Sequence, residues 1–373
     1  MSVRLGLAGL LALAAAQGAE TRAASPFEAG RPFLEAEALF RRDPRFLGAD
    51  AALSIPLGPG KTLWLFGDTF VALDEAAPSR SNSKMVRNSV AIQTGADPRT
   101  ASIEFGWRRG DDGAPASFFP ESGGLLYWPG HGVRPRDDGP LVLFLFRVRN
   151  TPGEGLGFAG AGYALAVIDD PEAPLREWRP RIVDAAPSPF DALPATAAVR
   201  DGEFVVGLAI REKGAHAGAL VRHRGARLER GDLSGAEWWN GSAWVPERAL
   251  GPGGPAFVMD DAGAECSIHF DARARAFVHV ASYGFGASEI GVRTAPALTG
   301  PWTAPTIVYR PPESDGPRPF VYAAKAHPEI AGEDPRDLVV TYATNSFEFG
   351  DLFTEKGRRD LYWPRCVAVR IRP

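Results

Sequence analysis

The feature that most constrains the fold of this chain is a repeated order of short strand-like runs separated by turns. The clearest set consists of residues 50–57, 62–66, 88–93 and 101–107, with the turn Gly58-Pro59-Gly60-Lys61 between the first two runs. A similar order begins again near residues 127, 195, 265 and 323, so successive sets start about 60 to 80 residues apart. Runs of β-branched and aromatic residues bounded by Gly, Pro, Asn and Asp predict strands rather than helices.

The composition agrees with this interpretation. The 373 residues are 45% hydrophobic and include 42 Gly and 33 Pro, which predicts a large core with many tight turns and excludes general disorder. Lys and Arg number 41 against 45 Asp and Glu, a formal net charge of -4. Binding to nucleic acid or to a membrane surface requires a basic excess, so we expect neither partner. We also expect no membrane insertion, and a monomer or weak oligomer.

Residues 1–24 are predicted to be a signal peptide. Arg4 precedes the short apolar run Leu5–Ala16, and Ala16-Gln17-Gly18 is a candidate cleavage site. No Cys follows the run, which excludes a bacterial lipoprotein anchor. The mature protein is therefore expected to be secreted or periplasmic, with one domain over residues 25–373. The alternative is a disordered or buried N-terminal segment.

Four-stranded antiparallel units repeated around an axis are typical of a β-propeller. The sequence thus predicts an all-β, five-bladed propeller. The fifth set lacks an outer strand, and residues 33–41 are predicted to supply it, which closes the last blade with an N-terminal strand. A β-sandwich or a two-domain all-β protein is the alternative. Trp107, Trp178, Trp244 and Trp302 recur near fourth strands and are predicted to pack between blades.

Residues that enter the first strand or leave the second strand of each blade should converge on one mouth of the central channel, because these strands are antiparallel. Carboxylates, cations and aromatic rings at such positions are typical of a carbohydrate site. We therefore predict an oligosaccharide or polysaccharide as the partner. The candidate substrate-binding residues are Arg87, Asn88, Trp128, His131, Arg147, Tyr283, Lys325, His327 and Asn345. For His131 and His327 a structural, hydrogen-bonded histidine is the alternative, and Arg87 has the alternative of pairing with an acid.

Three acidic residues are the candidate catalytic groups. Glycoside hydrolysis requires one protonated carboxyl group and one ionised carboxylate near the scissile bond. Glu265 has few polar neighbours in the sequence, which predicts a raised pKa and the role of general acid. Asp50 is then the base or nucleophile, and Asp68 modulates their pKa values or binds a sugar hydroxyl. The alternatives are a loop-shaping role for Asp50, a local turn at Asp68 and a strand-end charge at Glu265.

No cofactor and no catalytic metal are predicted. Cys266 and Cys366 are the only cysteines, and two thiols cannot form a structural zinc site. We expect both to be free and buried on strands, with a disulfide as the alternative. A metal ion held in the channel as a structural plug is a further alternative.

Several of these segments resemble a known family. Gly48-Ala49-Asp50, Leu63-Trp64-Leu65-Phe66-Gly67-Asp68-Thr69, Arg87-Asn88-Ser89 and Tyr362-Trp363-Pro364-Arg365 resemble secreted five-bladed-propeller proteins once grouped as a domain of unknown function. That group includes endo-D-arabinanases, which cut the D-arabinofuranose polymers of mycobacterial cell walls. Thr299-Gly300-Pro301-Trp302 is similar to a segment of arabinanase and fructosidase propellers. The resemblance covers residues 45–373 and implies a secreted glycoside hydrolase that cleaves furanosidic linkages in an arabinan-like polysaccharide, with D-arabinan as one candidate. A non-catalytic glycan-binding propeller is the alternative.

Overall fold

The computed structural model describes residues 25–153, 157–186, 190, 192–211, 214–284, 286 and 288–372. The predicted signal peptide lies outside these residues. The described chain is composed mainly of antiparallel strands, with three short α-helices: α1 (Leu34–Leu39), α2 (Gly225–Leu228) and α3 (Glu355–Asp360). Short 3-10 helices occur at Leu175–Glu177, Glu247–Ala249, Pro312–Asp315 and Phe349–Phe353.

The strands follow the predicted runs closely. In chain order they are β1 (Arg31–Pro32), β2 (Phe46–Ala49), β3 (Leu53–Gly58), β4 (Lys61–Phe66), β5 (Thr69–Ala72), β6 (Ser83–Val86), β7 (Ser89–Thr94), β8 (Ser102–Gly106), β9 (Arg108–Arg109), β10 (Pro115–Ala116), β11 (Leu126–Val133), β12 (Leu141–Asn150), β13 (Phe158–Ile168), β14 (Arg181–Asp184), β15 (Leu193–Asp201), β16 (Phe204–Ile210), β17 (Gly218–Arg224), β18 (Glu237–Trp239), β19 (Trp244–Pro246), β20 (Phe257–Met259), β21 (Cys266–Asp271), β22 (Ala276–Tyr283), β23 (Glu289–Ala295), β24 (Thr306–Tyr309), β25 (Pro319–His327), β26 (Asp337–Ser346) and β27 (Arg365–Arg370).

Five antiparallel sheets contain most of these strands. We number them by sequence: the first is β3-β4-β7-β8, the second β11-β12-β13-β14, and the third β15-β16-β17-β18-β19 with β20 paired to β17. The fourth is β21-β22-β23-β24, and the fifth is β25-β26-β27-β1. Two smaller sheets, β2-β5-β6 and β9-β10, lie beside them. Tight turns connect the hairpins; at Gly60, φ is +67°, a left-handed conformation that glycine adopts without steric cost.

Each of the five sheets packs against two others. The first strands are in contact in the order β3, β11, β15, β21, β25 and back to β3. Buried apolar clusters fill the spaces between neighbouring sheets: Leu63 packs with Leu143 between the first and second, and Trp64 with Val339 between the first and fifth. Because both faces of each sheet are covered, strands such as β12 are continuous apolar runs rather than alternating ones.

The chain termini meet in the fifth sheet. β1 pairs antiparallel with β27, with Arg31 opposite Ala368, so an N-terminal strand does complete the last sheet. Its position differs from the prediction, because residues 31–32 form the strand and α1 occupies most of residues 33–41. The helix forms because Ala36, Leu39 and Phe40 fall on one face that is buried against the sheets.

Several smaller predictions can be compared with the structure. Cys266 and Cys366 are both free and buried, as predicted. Trp178 and Trp302 pack in apolar clusters between sheets, also as predicted. Within the described ranges, no helix is long and apolar enough to cross a membrane.

Candidate active site

Asp50, Asp68 and Glu265 lie at one end of the inner strands. Asp50 precedes β3 and Glu265 precedes β21, so both stand at the N-terminal ends of first strands. Asp68 follows β4, whose C-terminal end lies at the same place because β3 and β4 are antiparallel. The Asp50 backbone N–H donates to the Asp68 carbonyl at 3.4 Å. The folding of the chain thus brings together three carboxyl groups, of which Asp50 and Glu265 are 215 residues apart in sequence.

The Asp50 carboxyl group has a strongly raised pKa. Burial, followed by the negative charges of Asp68 and Glu265, raises its pKa to about 8. Two tyrosine hydroxyls oppose this shift in pKa, since Tyr322 donates to Oδ2 at 2.8 Å and Tyr362 donates to the same oxygen at 3.2 Å. A carboxyl group with this pKa is mostly protonated at neutral pH.

The second oxygen of Asp50 faces Gly67. A side chain at position 67 would collide with Asp50 Oδ1, so the absence of a Cβ there is what gives this oxygen its place. Both tyrosines donate to Oδ2, so the two oxygens of Asp50 have different surroundings, with Oδ1 on the side of Gly67.

Asp68 is held by one cation and one indole. Arg87 Nη1 lies 3.1 Å from Asp68 Oδ2, and Trp128 Nε1 donates to Asp68 Oδ1 at 3.1 Å. Burial raises the pKa of Asp68, whereas the charge of Arg87 and both hydrogen bonds lower it. The structure thus places the predicted residues Arg87 and Trp128 beside a candidate catalytic carboxylate.

Lys325 forms hydrogen bonds both to the backbone next to Asp50 and to Glu265. Its ammonium group donates to the Ala51 carbonyl at 2.5 Å, to the Ala323 carbonyl at 2.8 Å and to Glu265 Oε2 at 3.0 Å. A lysine has three N–H donors, and all three are used here. Lys325 was predicted to bind substrate; the structure instead shows a buried ion-pair partner of Glu265 with no N–H left for a ligand.

The backbone around the cluster is strained. Ala51 and Ala52, which follow Asp50, have φ values of +64° and +52°. Ala323, between Tyr322 and Lys325, has φ +59°, and Tyr362 itself has φ +62°. Residues other than Gly, Asn and Asp rarely adopt this left-handed region of φ and ψ. Backbone strain of this kind is concentrated at functional sites. Four strained residues at one end of the inner strands indicate that the positions of these side chains are functionally constrained.

Other predicted substrate-binding residues have structural roles. Asn88 is buried, and its amide donates to the Phe119 and Tyr127 carbonyls at 3.0 and 2.9 Å while its Oδ1 accepts from the Phe119 N–H at 2.7 Å. Its hydrogen-bonding capacity is therefore used to fix the chain that leads to Trp128. Contact of Asn88 with substrate stays a prediction, and the structure shows its buried amide engaged in hydrogen bonds within the fold.

The two predicted histidines also lie away from the carboxyl groups. His327 is buried between Ser54 Oγ, at 2.6 Å from Nδ1, and Thr341 Oγ1, at 2.7 Å from Nε2. His131 lines a cavity of about 580 Å³ at the opposite ends of the inner strands, where burial lowers its pKa to about 4. Both histidines were predicted at the mouth of the channel. They lie further along their strands, because β11 and β25 are long and successive side chains of a strand point to opposite faces.

The remaining three predicted residues are engaged within their own sheets. Arg147 pairs with Asp184 at 3.4 Å. The Tyr283 hydroxyl accepts from Arg293 Nε at 3.0 Å and packs among the apolar residues between the third and fourth sheets. Asn345 Oδ1 accepts from the Ser346 N–H at 2.8 Å.

Three site residues were missing from the predicted set. Tyr322 lies on the same inner strand as Lys325, so its strand position was a usable signal. Tyr362 comes from the loop between α3 and β27, where the only signal was the Tyr-Trp-Pro-Arg segment. Arg80 is buried and donates to the carbonyls of Leu361, at 2.7 Å, and of three other residues, Leu47, Leu352 and Gly357; it fixes the loop that ends at Tyr362.

The alternative of a metal plug receives no support from the side-chain positions. Among the residues that the structure describes, no three His, Cys, Asp or Glu side chains are grouped so that they could hold a metal ion.

Fold and site together define an all-β, propeller-like protein with three interacting carboxyl groups at one end of its inner strands. Residues 35–371 match the family described as "Domain of unknown function (DUF5005)", and the chain belongs to that family. No curated protein matches the chain.

Solved structures share the fold. A candidate hydrolase of Bacteroides ovatus ATCC 8483 superposes with a TM-score of 0.71 at 17% identity, over 91% of this chain and 89% of that one. The chain is less similar to an exo-β-1,3-galactanase of Phanerochaete chrysosporium (TM-score 0.48, 12% identity, 86% of this chain and 60% of that one). A third similar structure is the catalytic domain of a Coprinopsis cinerea α-L-arabinofuranosidase (TM-score 0.43, 12% identity, 92% and 96%). At 17% identity, the likeness to the Bacteroides protein establishes the fold alone.

Proposed function

We propose that this protein is a glycoside hydrolase in which Asp50 is the general acid. The observation that carries the proposal is a half-buried carboxyl group with a pKa of about 8 next to two further carboxyl groups, each paired with a cation. Lys325 and Arg87 balance two negative charges, so the third carboxyl group is most stable when protonated. One protonated and one ionised carboxyl group are what glycosidic cleavage requires.

The chemistry assigns a separate role to each group. Asp50 transfers its proton from Oδ1 to the glycosidic oxygen, the bond from that oxygen to the anomeric carbon breaks, and the leaving sugar departs as an alcohol. The Glu265 carboxylate either removes a proton from the attacking water or attacks the anomeric carbon itself. Asp68 keeps the pKa of Asp50 high and, with Arg87, faces the substrate. This assignment reverses the one drawn from sequence, because Asp50 is the carboxyl group whose pKa is raised to about 8, whereas Glu265 lies 3.0 Å from the Lys325 ammonium group.

The proposed architecture is a five-bladed β-propeller. Each of the five sheets is one blade, and the closed order of contacts between first strands supports the ring. In this arrangement the fifth sheet stands between the first and the fourth, which explains how Lys325 reaches both the loop of Asp50 and Glu265.

The proposed substrate is a furanose-containing, arabinan-like polysaccharide, with D-arabinan as one candidate. The segments around Asp50, Asp68 and Tyr362 resemble the group of propeller proteins that includes endo-D-arabinanases, and this resemblance supports the choice. The leader-like residues 1–24 support a secreted or periplasmic location, where such polymers are found.

The test is a screen of the purified protein against arabinans, D-arabinan and galactans, with product release as the measurement. Asp50→Asn and Glu265→Gln should each abolish release, whereas Asp138→Asn, a change at an exposed carboxylate paired with Arg136, should not affect it. Binding without cleavage by the unmodified protein would instead identify a non-catalytic glycan-binding propeller. Cleavage that persists in Asp50→Asn would refute the role given to Asp50.

A further inference from the structure

Exposed phenylalanine rings surround the candidate active site. Among the described residues, the large hydrophobic side chains with high exposure include Phe158 (40%), Phe347 (54%), Phe349 (50%) and Phe270 (56%). The first three lie at the end of the inner strands where the carboxyl groups are, and Phe270 lies at the other end, beside the large cavity. Exposed aromatic groups clustered at one place on a protein mark a binding surface.

The Phe347 ring is connected to Asp50 through two other rings. It packs on Phe320 with centroids 4.7 Å apart and an interplanar angle of 32°, and Phe320 packs on Tyr322 at 5.4 Å and 34°. Tyr322 donates the 2.8 Å hydrogen bond to Asp50. The three rings, each tilted against the next, therefore form a continuous row that leads outward from the general acid.

Phe349 is connected to Asp50 in a similar way. Its ring centroid is 6.3 Å from that of Phe70, which lies 5.4 Å from that of Tyr362. Tyr362 is the second hydrogen-bond donor to Asp50. Phe349 also contacts Phe353 at 5.6 Å, so its position is fixed although half of its surface is exposed.

Phe158 lies on the other side of the carboxyl groups. Its ring stands edge to face against Trp128, with centroids 4.6 Å apart, and Trp128 donates to Asp68. Phe158 and Trp128 belong to the second sheet, whereas Phe320 and Tyr322 belong to the fifth. The first sheet, which contributes Asp50 and Asp68, contacts both of these sheets, so the carboxyl groups lie between the two groups of exposed rings.

We propose that Phe158 on one side and Phe347 and Phe349 on the other are binding platforms for sugar residues adjacent to the scissile bond. The C–H face of a sugar ring is apolar and packs on an aromatic face, which supplies affinity without a charged partner. Platforms on both sides of the carboxyl groups fit the interior of a polysaccharide chain, so cleavage is internal rather than terminal. The part concerning cleavage rests on the function proposed above; the part concerning binding does not.

The binding part is tested by native electrophoresis in gels that contain soluble arabinan or D-arabinan. The parent is Asp50→Asn, which keeps the polymer intact, and Phe158→Ala, Phe347→Ala and Phe349→Ala are each added to it. Each should weaken binding by about three- to tenfold. Phe270→Ala is the matched control, because it removes an equally exposed ring at the opposite end, and it should leave binding unchanged. If an alanine variant fails to fold, leucine at the same position, as in Phe347→Leu, replaces it, because leucine keeps most of the apolar volume.

The outcomes separate this proposal from the proposed function. Binding that depends on the three rings, in a protein that cleaves nothing, supports the platforms and refutes the hydrolase. Cleavage of polymer with the same KM in the wild-type background and in Phe158→Ala and Phe347→Ala refutes the platforms and leaves the hydrolase intact. Equal loss of binding in Phe270→Ala, or no retardation of the parent by either polymer, also overturns the proposal. Internal cleavage further predicts a ladder of oligosaccharides early in the reaction, and release of single sugars alone would contradict it.

Discussion

The Lys325 ammonium group lies 3.0 Å from Glu265 Oε2 and 2.5 Å from the carbonyl oxygen of Ala51, the residue that follows Asp50. One buried cation therefore fixes the positions of two candidate catalytic groups from sheets that are not neighbours. Only 1% of the Lys325 surface is exposed, so its charge is stabilised by these acceptors rather than by water.

Replacing Lys325 by Met should destabilise the fold and impair catalysis. The change leaves two buried carbonyls and one side of Glu265 without their donor, and we expect the free energy of unfolding to fall by about 2 to 4 kcal/mol. Denaturant unfolding measures this. Lys356→Met, which removes an exposed lysine paired with Asp360 at 2.7 Å, should change stability by less than about 0.5 kcal/mol. Equal losses in the two variants would contradict the role of Lys325.

The rate of cleavage should decline above pH 8. The general acid must be protonated, and burial with two neighbouring charges raises the pKa of Asp50 to about 8. In kcat/KM, which reports the free enzyme, we expect a basic limb near pH 8 that falls about tenfold per pH unit. Asp68→Asn removes one of the charges that raise the pKa of Asp50, so it should move this limb to lower pH. A limb that stays in place would argue against Asp50 as the acid.

The two tyrosine hydroxyls should shift the same limb in the opposite direction. Their hydrogen bonds to Oδ2 lower the pKa of Asp50, so Tyr322→Phe and Tyr362→Phe should each raise that pKa and move the basic limb to higher pH. Tyr342→Phe is the control: its hydroxyl donates to Glu313 at 3.1 Å, and its loss should leave the limb where it is.

Arg80→Met should act on the site from a distance. The guanidinium group donates to four carbonyls, and their loss should lower the free energy of unfolding by about 3 kcal/mol. Because the loop it fixes ends at Tyr362, the basic limb should move in the same direction as in Tyr362→Phe. Arg310→Met, at a half-exposed arginine paired with Asp315, is the matched control for stability. An unchanged limb in a folded Arg80→Met protein would separate Arg80 from the site.

Asp50→Asn should make the protein more stable at alkaline pH. The pKa of Asp50 is raised from 3.8 in the unfolded chain to about 8 in the folded protein, so its contribution to stability is full below pH 4 and is lost as the pH rises through 8. The loss approaches 1.4 kcal/mol per pH unit for this one group. An amide at this position does not titrate, and the unfolding midpoint of Asp50→Asn should exceed that of the wild type at pH 9. The reverse order would contradict the raised pKa.

Much of the architecture could be predicted from sequence, because strand formation is local. The runs near β4, β12, β16 and β22 are apolar and β-branched, and turn residues such as Gly60 mark their ends. The boundaries of the strands and the spacing of the repeated strand sets can therefore be identified without tertiary information. The prediction for residues 33–41 was wrong because a short apolar pattern is compatible with both a strand and a helix, and only packing against the sheets selected α1.

The sequence by itself determined the all-β character of the protein, its order of strands and the identity of three acidic candidates near strand ends. Only the tertiary structure decided that the pKa of Asp50 is raised to about 8. The pKa of Asp50 depends on burial, on charges contributed by Asp68 and Glu265, and on hydroxyls from Tyr322 and Tyr362, all but one of which lie far away along the chain. Electrostatic interactions depend on distance through space, and a sequence does not contain that distance until the chain has folded.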